Sequence, residues 1–186
     1  MKKQTIEVYE FSELGKEAKE KARDEFRQYC LDYDWWDIIY EGIMEKAEEY
    51  GITLKDEDIQ FTGFWSQGDG ASFISKEINN HKFAEKAGIK VDKKVLDTIE
   101  LYIDRTIMNY SHENSVHATA VYNDLPSKYE KKAEELTDKL EEVKNMLCTE
   151  LYNNLENYYN ELLSDEHVDE DIIANEYEFL KDGTRF

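Results

Sequence analysis

The chain is short of the residues that interrupt structure. Its 186 residues include one proline, eight glycines and two cysteines, and no Pro-rich or Ser/Gly-rich stretch separates one half from the other. Such a composition offers nothing from which to build a hinge, so residues 1–186 read as a single α+β domain. Cys30 and Cys148 stand apart, each in a predicted helix, with no CxxC spacing and no adjacent histidine. That pattern reads as free thiols in a reducing compartment. No run approaches the roughly 18 apolar residues of a membrane span, and the opening MKKQTIEVYEF lacks a signal peptide's apolar centre, so the expected location is the cytoplasm. Basic side chains are scarce as well: 23 Lys and Arg face 43 Asp and Glu, a formal charge of −20. Phosphate backbones are gripped by clustered Lys and Arg, so direct nucleic-acid binding is not expected.

The acid is concentrated. Residues 130–171 carry 14 acidic against 4 basic side chains, net −10. Pro126 suits the first turn of a helix, and Tyr129, Ala133, Leu136, Leu140, Val143, Leu147, Leu151, Leu155, Tyr158 and Leu162 follow at steps of three or four, which predicts one long helix over 126–163. Its acidic face, Glu134, Glu135, Asp138, Glu141 and Glu142, fits either a basic channel on another protein or plain solvation. The four-residue steps from 143 to 155 break a strict heptad and argue against a long coiled coil, although a homodimer through this helix is one way to accommodate its length. Residues 164–186 follow as an acidic C-terminal segment whose Asp182-Gly183 reads as a turn.

Earlier in the chain, residues 4–11 alternate as a half-buried strand does. Ser12 reads as the cap of a helix with Ala18, Ala22, Phe26 and Tyr29 on one stripe, and a second helix over 35–50 carries Trp36, Ile39, Ile43, Ala47 and Tyr50 before Gly51. Trp35 and Trp36 point about 100° apart on that helix; both are expected mainly to pack, the alternative being that Trp35 borders the site. Residues 79–88 predict a short helix. From the Asp92 cap, Val95, Leu96, Ile99, Tyr102, Ile103, Thr106 and Ile107 predict another, and 116–122 a strand. The sum is a small antiparallel sheet packed by several helices, with one long C-terminal helix.

Residues 61–73 read FTGFWSQGDGASF. Flanking strands at 59–62 and 72–75 make Ser66-Gln67-Gly68-Asp69-Gly70 the turn of a hairpin. Glycines at 68 and 70 permit positive φ, which turns backbone amides to one side, and Trp65, Ser66, Gln67, Asp69 and Ser72 supply a flat ring and short polar arms. Convergent amides beside an aromatic wall suit a nucleotide-like ligand; the same residues also turn an ordinary hairpin whose aromatic strand faces a core.

A polar connector, Tyr110, His112 and Asn114 among its residues, precedes the last predicted strand. If it adjoins the hairpin, His112 and Asp69 face one pocket. Such a pair could serve as base and orienter, but no nucleophile in a recognisable setting accompanies it, and the phosphate-loop, dinucleotide and zinc patterns are lacking. No catalytic residue, metal or cofactor is expected.

YEFSELGKEAKEKA, DWW at 34–36, FTGFWSQGDGASF, YSHENSVHA at 110–118 and EYEFLKDGTRF together resemble a loosely defined family of small proteins of bacteriophages, prophages and plasmids, some labelled antitoxin-like. Gly15 departs from the helix-favouring polar residue the pattern leads one to expect. The resemblance implies a non-enzymatic anti-defence protein in the bacterial host cytoplasm, one that holds a nucleotide-derived signal or blocks a host defence protein. The alternatives are an acidic inhibitor of anti-CRISPR or antitoxin type, and a nucleotide-acting enzyme using Asp69 and His112.

Overall fold

The computed structural model describes residues 5–106, 111–123 and 125–186. The fold is α+β, and in chain order its elements are β1 (Tyr9–Glu10), α1 (Lys16–Tyr29), α2 (Asp37–Glu49), β2 (Ile52–Thr53), β3 (Ile59–Phe61), β4 (Ala71–Phe73), β5 (Glu77–Ile78), α3 (Asn80–Lys86), α4 (Lys93–Leu96), β6 (Ile99–Arg105), β7 (Val116–Tyr122), α5 (Ser127–Leu162), α6 (Asp165–Ala174) and β8 (Glu178–Phe179). They form two compact units. One takes the chain up to Trp35 together with Asn157–Phe186, and the other is Trp36–Glu156.

In the first unit α1 buries Ala18, Ala22 and Phe26 against Val168 and Ile172 of α6 and Phe179 of β8. Ser164 caps α6 by accepting from the His167 amide at 3.2 Å, and Arg23 clamps the helix pair with two 2.7 Å hydrogen bonds to the Asp169 carboxylate. A bidentate pair of this kind fixes geometry as well as adding energy. The tail folds back here: β8 pairs antiparallel with β1, and the Gly183 amide closes a turn onto the Leu180 carbonyl at 2.9 Å.

Two expectations fail in this unit. The strand read over 4–11 shrinks to Tyr9–Glu10, leaving Ile6 and Val8 exposed, because β8 offers only two residues to pair with. Ser12 caps nothing. It sits in a 3-10 turn, Phe11–Glu13, held by reciprocal Glu10 and Glu13 capping bonds, and α1 starts after Gly15, an extended N-cap at φ −68°. Glycine at 15 therefore lies ahead of the helix, where it weakens no turn.

Among the described residues the second unit holds three antiparallel strand pairs, β2 with β5, β3 with β4 and β6 with β7. Ser75 knits them together: its backbone exchanges hydrogen bonds of 2.9 and 2.8 Å with Ile103 of β6, and its hydroxyl donates to the Thr53 carbonyl of β2 at 2.8 Å. The helix expected from Asp92 stops at Leu96, and the chain continues as β6. Ile99, Leu101 and Ile103 are buried while Glu100 and Asp104 are exposed, a period of two. Ile99, Tyr102 and Ile103 also satisfy a spacing of three and four, so periodicity alone was ambiguous, and pairing with seven residues of β7 decided it. Ile107 lies outside the described residues.

The long helix expected over 126–163 runs from Ser127 to Leu162, 36 residues or about 54 Å. Leu136, Leu140, Leu147, Leu151 and Leu155 have no exposed surface, and each such side chain stabilises the fold by roughly 1.5–3 kcal/mol relative to exposure. The stripe is thus covered within one chain. No helix among the described residues is long and apolar enough to cross a membrane.

Candidate functional site

The hairpin forms from β3 and β4, with Ile59 opposite Phe73, Gln60 opposite Ser72 and Phe61 opposite Ala71. Residues 62–70 make its loop, closed by the Thr62 amide donating to the Gly70 carbonyl at 2.9 Å. Inside the loop the Asp69 carboxylate accepts the backbone N–H of Trp65 at 2.8 Å and of Ser66 at 2.6 Å. Gly68 takes the positive φ, 107°. Gly70 is not in that region, and its role is space: a Cβ there would lie 3.0 Å from both the Cα and the Cδ2 of His112.

This geometry changes what the loop can hold. The amides expected to converge on a ligand are taken by the loop's own carboxylate, so an incoming anion finds neither their donors nor a favourable charge. Ser72, expected as a polar arm, is fully buried in β4, and its hydroxyl has no hydrogen bond among the described residues. Ser66 and Gln67 are exposed. Trp65 is 74% exposed, on a backbone that Asp69 braces.

The ring beside it adds packing to that brace. Phe64 is buried between Phe61, stacked at 5.9 Å, and Tyr152 of α5 at 5.7 Å, and it meets Trp65 edge-on at 6.0 Å. Such offset and edge contacts add to plain burial. Trp36 continues the series, 5.8 Å from Phe61. Trp35, in the first unit, is buried against Tyr158 and Tyr159.

His112 reaches the hairpin through Gly70, and its Nδ1 and carbonyl are engaged by its own turn. Nδ1 accepts the Asn114 amide at 3.2 Å, and the His112 carbonyl accepts the Ser115 hydroxyl at 2.6 Å. Asn114 is exposed; Tyr110 lies outside the described residues. No hydrogen bond joins Asp69 to His112 among the described residues, and each side chain stabilises a separate loop.

The residue that holds this turn was not singled out by sequence. Lys144 of α5 has no exposed surface. Its ammonium donates to the Glu113 carbonyl at 2.9 Å, the Val116 carbonyl at 2.7 Å and Glu141 Oε1 at 2.6 Å. Three N–H groups meet three oxygens, the full capacity of an ammonium. Glu141 in turn accepts the Ala118 amide at 2.8 Å. Burial opposes ionisation of Glu141, but that amide and Lys144 outweigh it and hold the carboxyl below its ordinary range. The only sequence signal was a lysine four residues from Leu140 and three from Leu147, in register with the apolar stripe.

The acidic face is consequently smaller than expected. Glu141 turns inward, Glu135 pairs with Lys132, and Glu142 pairs with Lys139 at 2.6 Å; Glu134 and Asp138 are exposed. Cys148, on the buried side of the same helix, has its thiol pushed up to about 12 by burial, and both cysteines are free. Among the described residues no group of three His, Cys, Asp or Glu side chains is placed to hold a metal.

Fold and site together describe an acidic α+β protein that presents a braced aromatic loop. The chain belongs to the DUF8835 family, a domain of unknown function, whose family model matches residues 35–165. That span contains the hairpin, the His112 turn and all of α5. No curated protein and no solved structure matches the chain.

Proposed function

We propose that the protein is a non-enzymatic binding protein of a phage or related mobile element, which disables a host defence by occupying a host effector protein. The mobile-element half rests on the resemblance carried by FTGFWSQGDGASF and its companion motifs. The binding half rests on Trp65. A large ring held in water on a loop locked by Asp69 and Phe64 loses little entropy on docking, and tryptophan is prominent among residues that carry binding energy. A basic effector surface suits a chain of charge −20. A nucleotide-derived signal has less in its favour, since the loop amides already serve Asp69.

The test is retention of a host protein from lysate on immobilised wild-type chain, compared with Trp65→Ala and with Glu134→Lys/Asp138→Lys. Wild type is expected to retain a partner that Trp65→Ala releases. Equal retention by Trp65→Ala would remove the loop from the interface, and loss only with the charge-reversed variant would transfer the role to α5.

A further inference from the structure

The ribbon of β6 and β7 has an outer edge that α5 closes only in part. Ile103 of β6 gives its amide and carbonyl to Ser75, so it makes no backbone bonds with Ala118 opposite it, while the Thr106 amide donates to the Ser115 carbonyl at 2.9 Å. Bonded and non-bonded pairs alternate along an antiparallel ladder. Thr119 and Val121 therefore bond to β6, and Val116, Ala118, Ala120 and Tyr122 turn their backbone groups outward. α5 takes the first of these: Lys144 donates to the Val116 carbonyl at 2.7 Å, and Glu141 accepts the Ala118 amide at 2.8 Å. Farther along, the Ala120 amide and carbonyl and the Tyr122 amide have no hydrogen-bond partner among the described residues. We propose that this open edge, residues 118–122, receives an extended segment of a partner protein, which adds a strand to β7 and carries basic side chains on the side of α5.

A strand edge with free amides and carbonyls is a template for another strand. Charge, proline or a covering element normally blunts it. Here Thr119, Ala120, Val121 and Tyr122 supply neither charge nor proline, and Val121 and Tyr122 are exposed.

The neighbouring helix selects the occupant. α5 runs antiparallel to β7, because Lys144 meets Val116 and Glu141, three residues earlier, meets Ala118, two residues later. Three or four helical residues advance about 5 Å and two strand residues about 6.6 Å, so the next two turns bring Asp138 and Glu134 alongside Ala120 and Tyr122. Both carboxylates are exposed, and neither has an ion pair among the described residues. A strand laid on the edge turns alternate side chains to its two faces. Those on the α5 side meet Asp138 and Glu134, which favours Lys or Arg, and those on the other side lie beside Thr119 and Val121, which favours apolar residues. A second copy of the chain would bring its own charge of −20 and the same two acids to this edge, and like charges repel there.

The edge deepens the reading of the chain as a protein-binding module and rests on it, but its probe is not the natural partner. A failed peptide test leaves capture through Trp65 standing, and failed capture leaves the edge standing.

Amide hydrogen exchange would be followed by NMR on nitrogen-15-labelled full-length protein. The protein is measured alone, with a short acetylated peptide alternating lysine and valine, and with its twin carrying glutamate for lysine. Alone, Thr119 and Val121 are expected to exchange roughly ten-fold or more slower than Ala120 and Tyr122. The lysine peptide should slow Ala120 and Tyr122 to the rate of their neighbours, and the glutamate peptide should not. Ala120→Pro removes an outward N–H at a position where an edge strand tolerates proline, so β6 and β7 stay paired while the lysine peptide binds roughly ten-fold or more weaker. Glu134→Gln/Asp138→Asn should weaken it as well, and it carries the test if Ala120→Pro loses its dispersed spectrum. A lysine peptide that binds without protecting Ala120 and Tyr122, equal protection by the glutamate twin, or full affinity in a folded Ala120→Pro or in the uncharged α5 variant would each overturn the assignment. Protection of the two amides that rises with protein concentration alone would overturn it too, giving the edge to a second copy.

Discussion

Lys144 and Trp65 sit where the other's residue type would be expected, a lysine with no exposed surface and a tryptophan 74% exposed. The lysine is complete. Each of its N–H groups has an oxygen partner, two of them carbonyls of the segment that carries His112 and opens β7, so it has nothing left to offer a ligand. The tryptophan is fixed at its backbone by Asp69 yet keeps most of its ring in water. A buried charge with every bond made is architecture, and a braced aromatic facing solvent has the means to bind. Both regions are held by hydrogen bonds within the chain; only the second keeps a large ring surface exposed.

The largest effect is expected at the lysine. Lys144→Met keeps the apolar stem but leaves Glu141 and two carbonyls inside without their donor, and breaking one partner of a buried pair costs about 3–5 kcal/mol. Urea unfolding followed by tryptophan fluorescence checks it. A loss under about 1 kcal/mol would mean that the ammonium does not tie the turn to α5, the ordinary result for a surface lysine. Gly70→Ala tests the same turn from the hairpin side. Its Cβ would press on His112 at 3.0 Å, and overpacking of this kind costs roughly 1–3 kcal/mol. Adding His112→Ala should restore only part of the loss, because the Cα of residue 112 remains in the way.

These two positions also mark what sequence could and could not disclose. The apolar stripe of α5, the β3–β4 hairpin, the short helix after residue 79 and the cap at Asp92 were legible, since each depends on residues close in sequence. What failed depended on distant partners. β6 became a strand because β7 lies along it, the strand at 4–11 ended because β8 is two residues long, and Asp69 turned out to bind its own loop rather than an outside ligand. Lys144 was not singled out, since nothing local says that its three acceptors come from Glu113, Val116 and Glu141. Of the aromatic site, Trp65 was identified, but the packing of Trp36 on Phe61 needs α2 beside β3, a long-range contact that periodicity does not encode.

Intermediate effects should separate bracing from docking. Asp69→Asn weakens two charge-assisted bonds to the Trp65 and Ser66 amides, and hydrogen bonds to a charged group contribute about 1.5–3 kcal/mol. The loss should be local, appearing as faster amide exchange at 65 and 66, with little change in global unfolding. Acid provides a graded version at the other region. Glu141 has its folded pKa below the ordinary 4.5, so its contribution is present above that value and is lost as pH falls through the lowered folded one. Wild type should therefore lose its stability advantage over Glu141→Gln on acidification from pH 5 to pH 3, measured by urea midpoints. An advantage unchanged over that window would mean that Glu141 is not held ionised by Lys144 and Ala118.

The smallest effect on stability is expected where the effect on binding should be greatest. Trp65 meets Phe64 edge-on while most of its surface stays in water, so Trp65→Ala should shift unfolding by no more than about 0.5 kcal/mol. If the ring anchors a partner, the same substitution should weaken capture by about 2 kcal/mol or more, roughly thirty-fold. Unfolding and binding measured on one preparation therefore decide between two accounts of an exposed aromatic. A large stability loss would assign Trp65 to the packing of its own loop and place it with Lys144, whereas unchanged stability with lost capture would keep the two regions apart in kind.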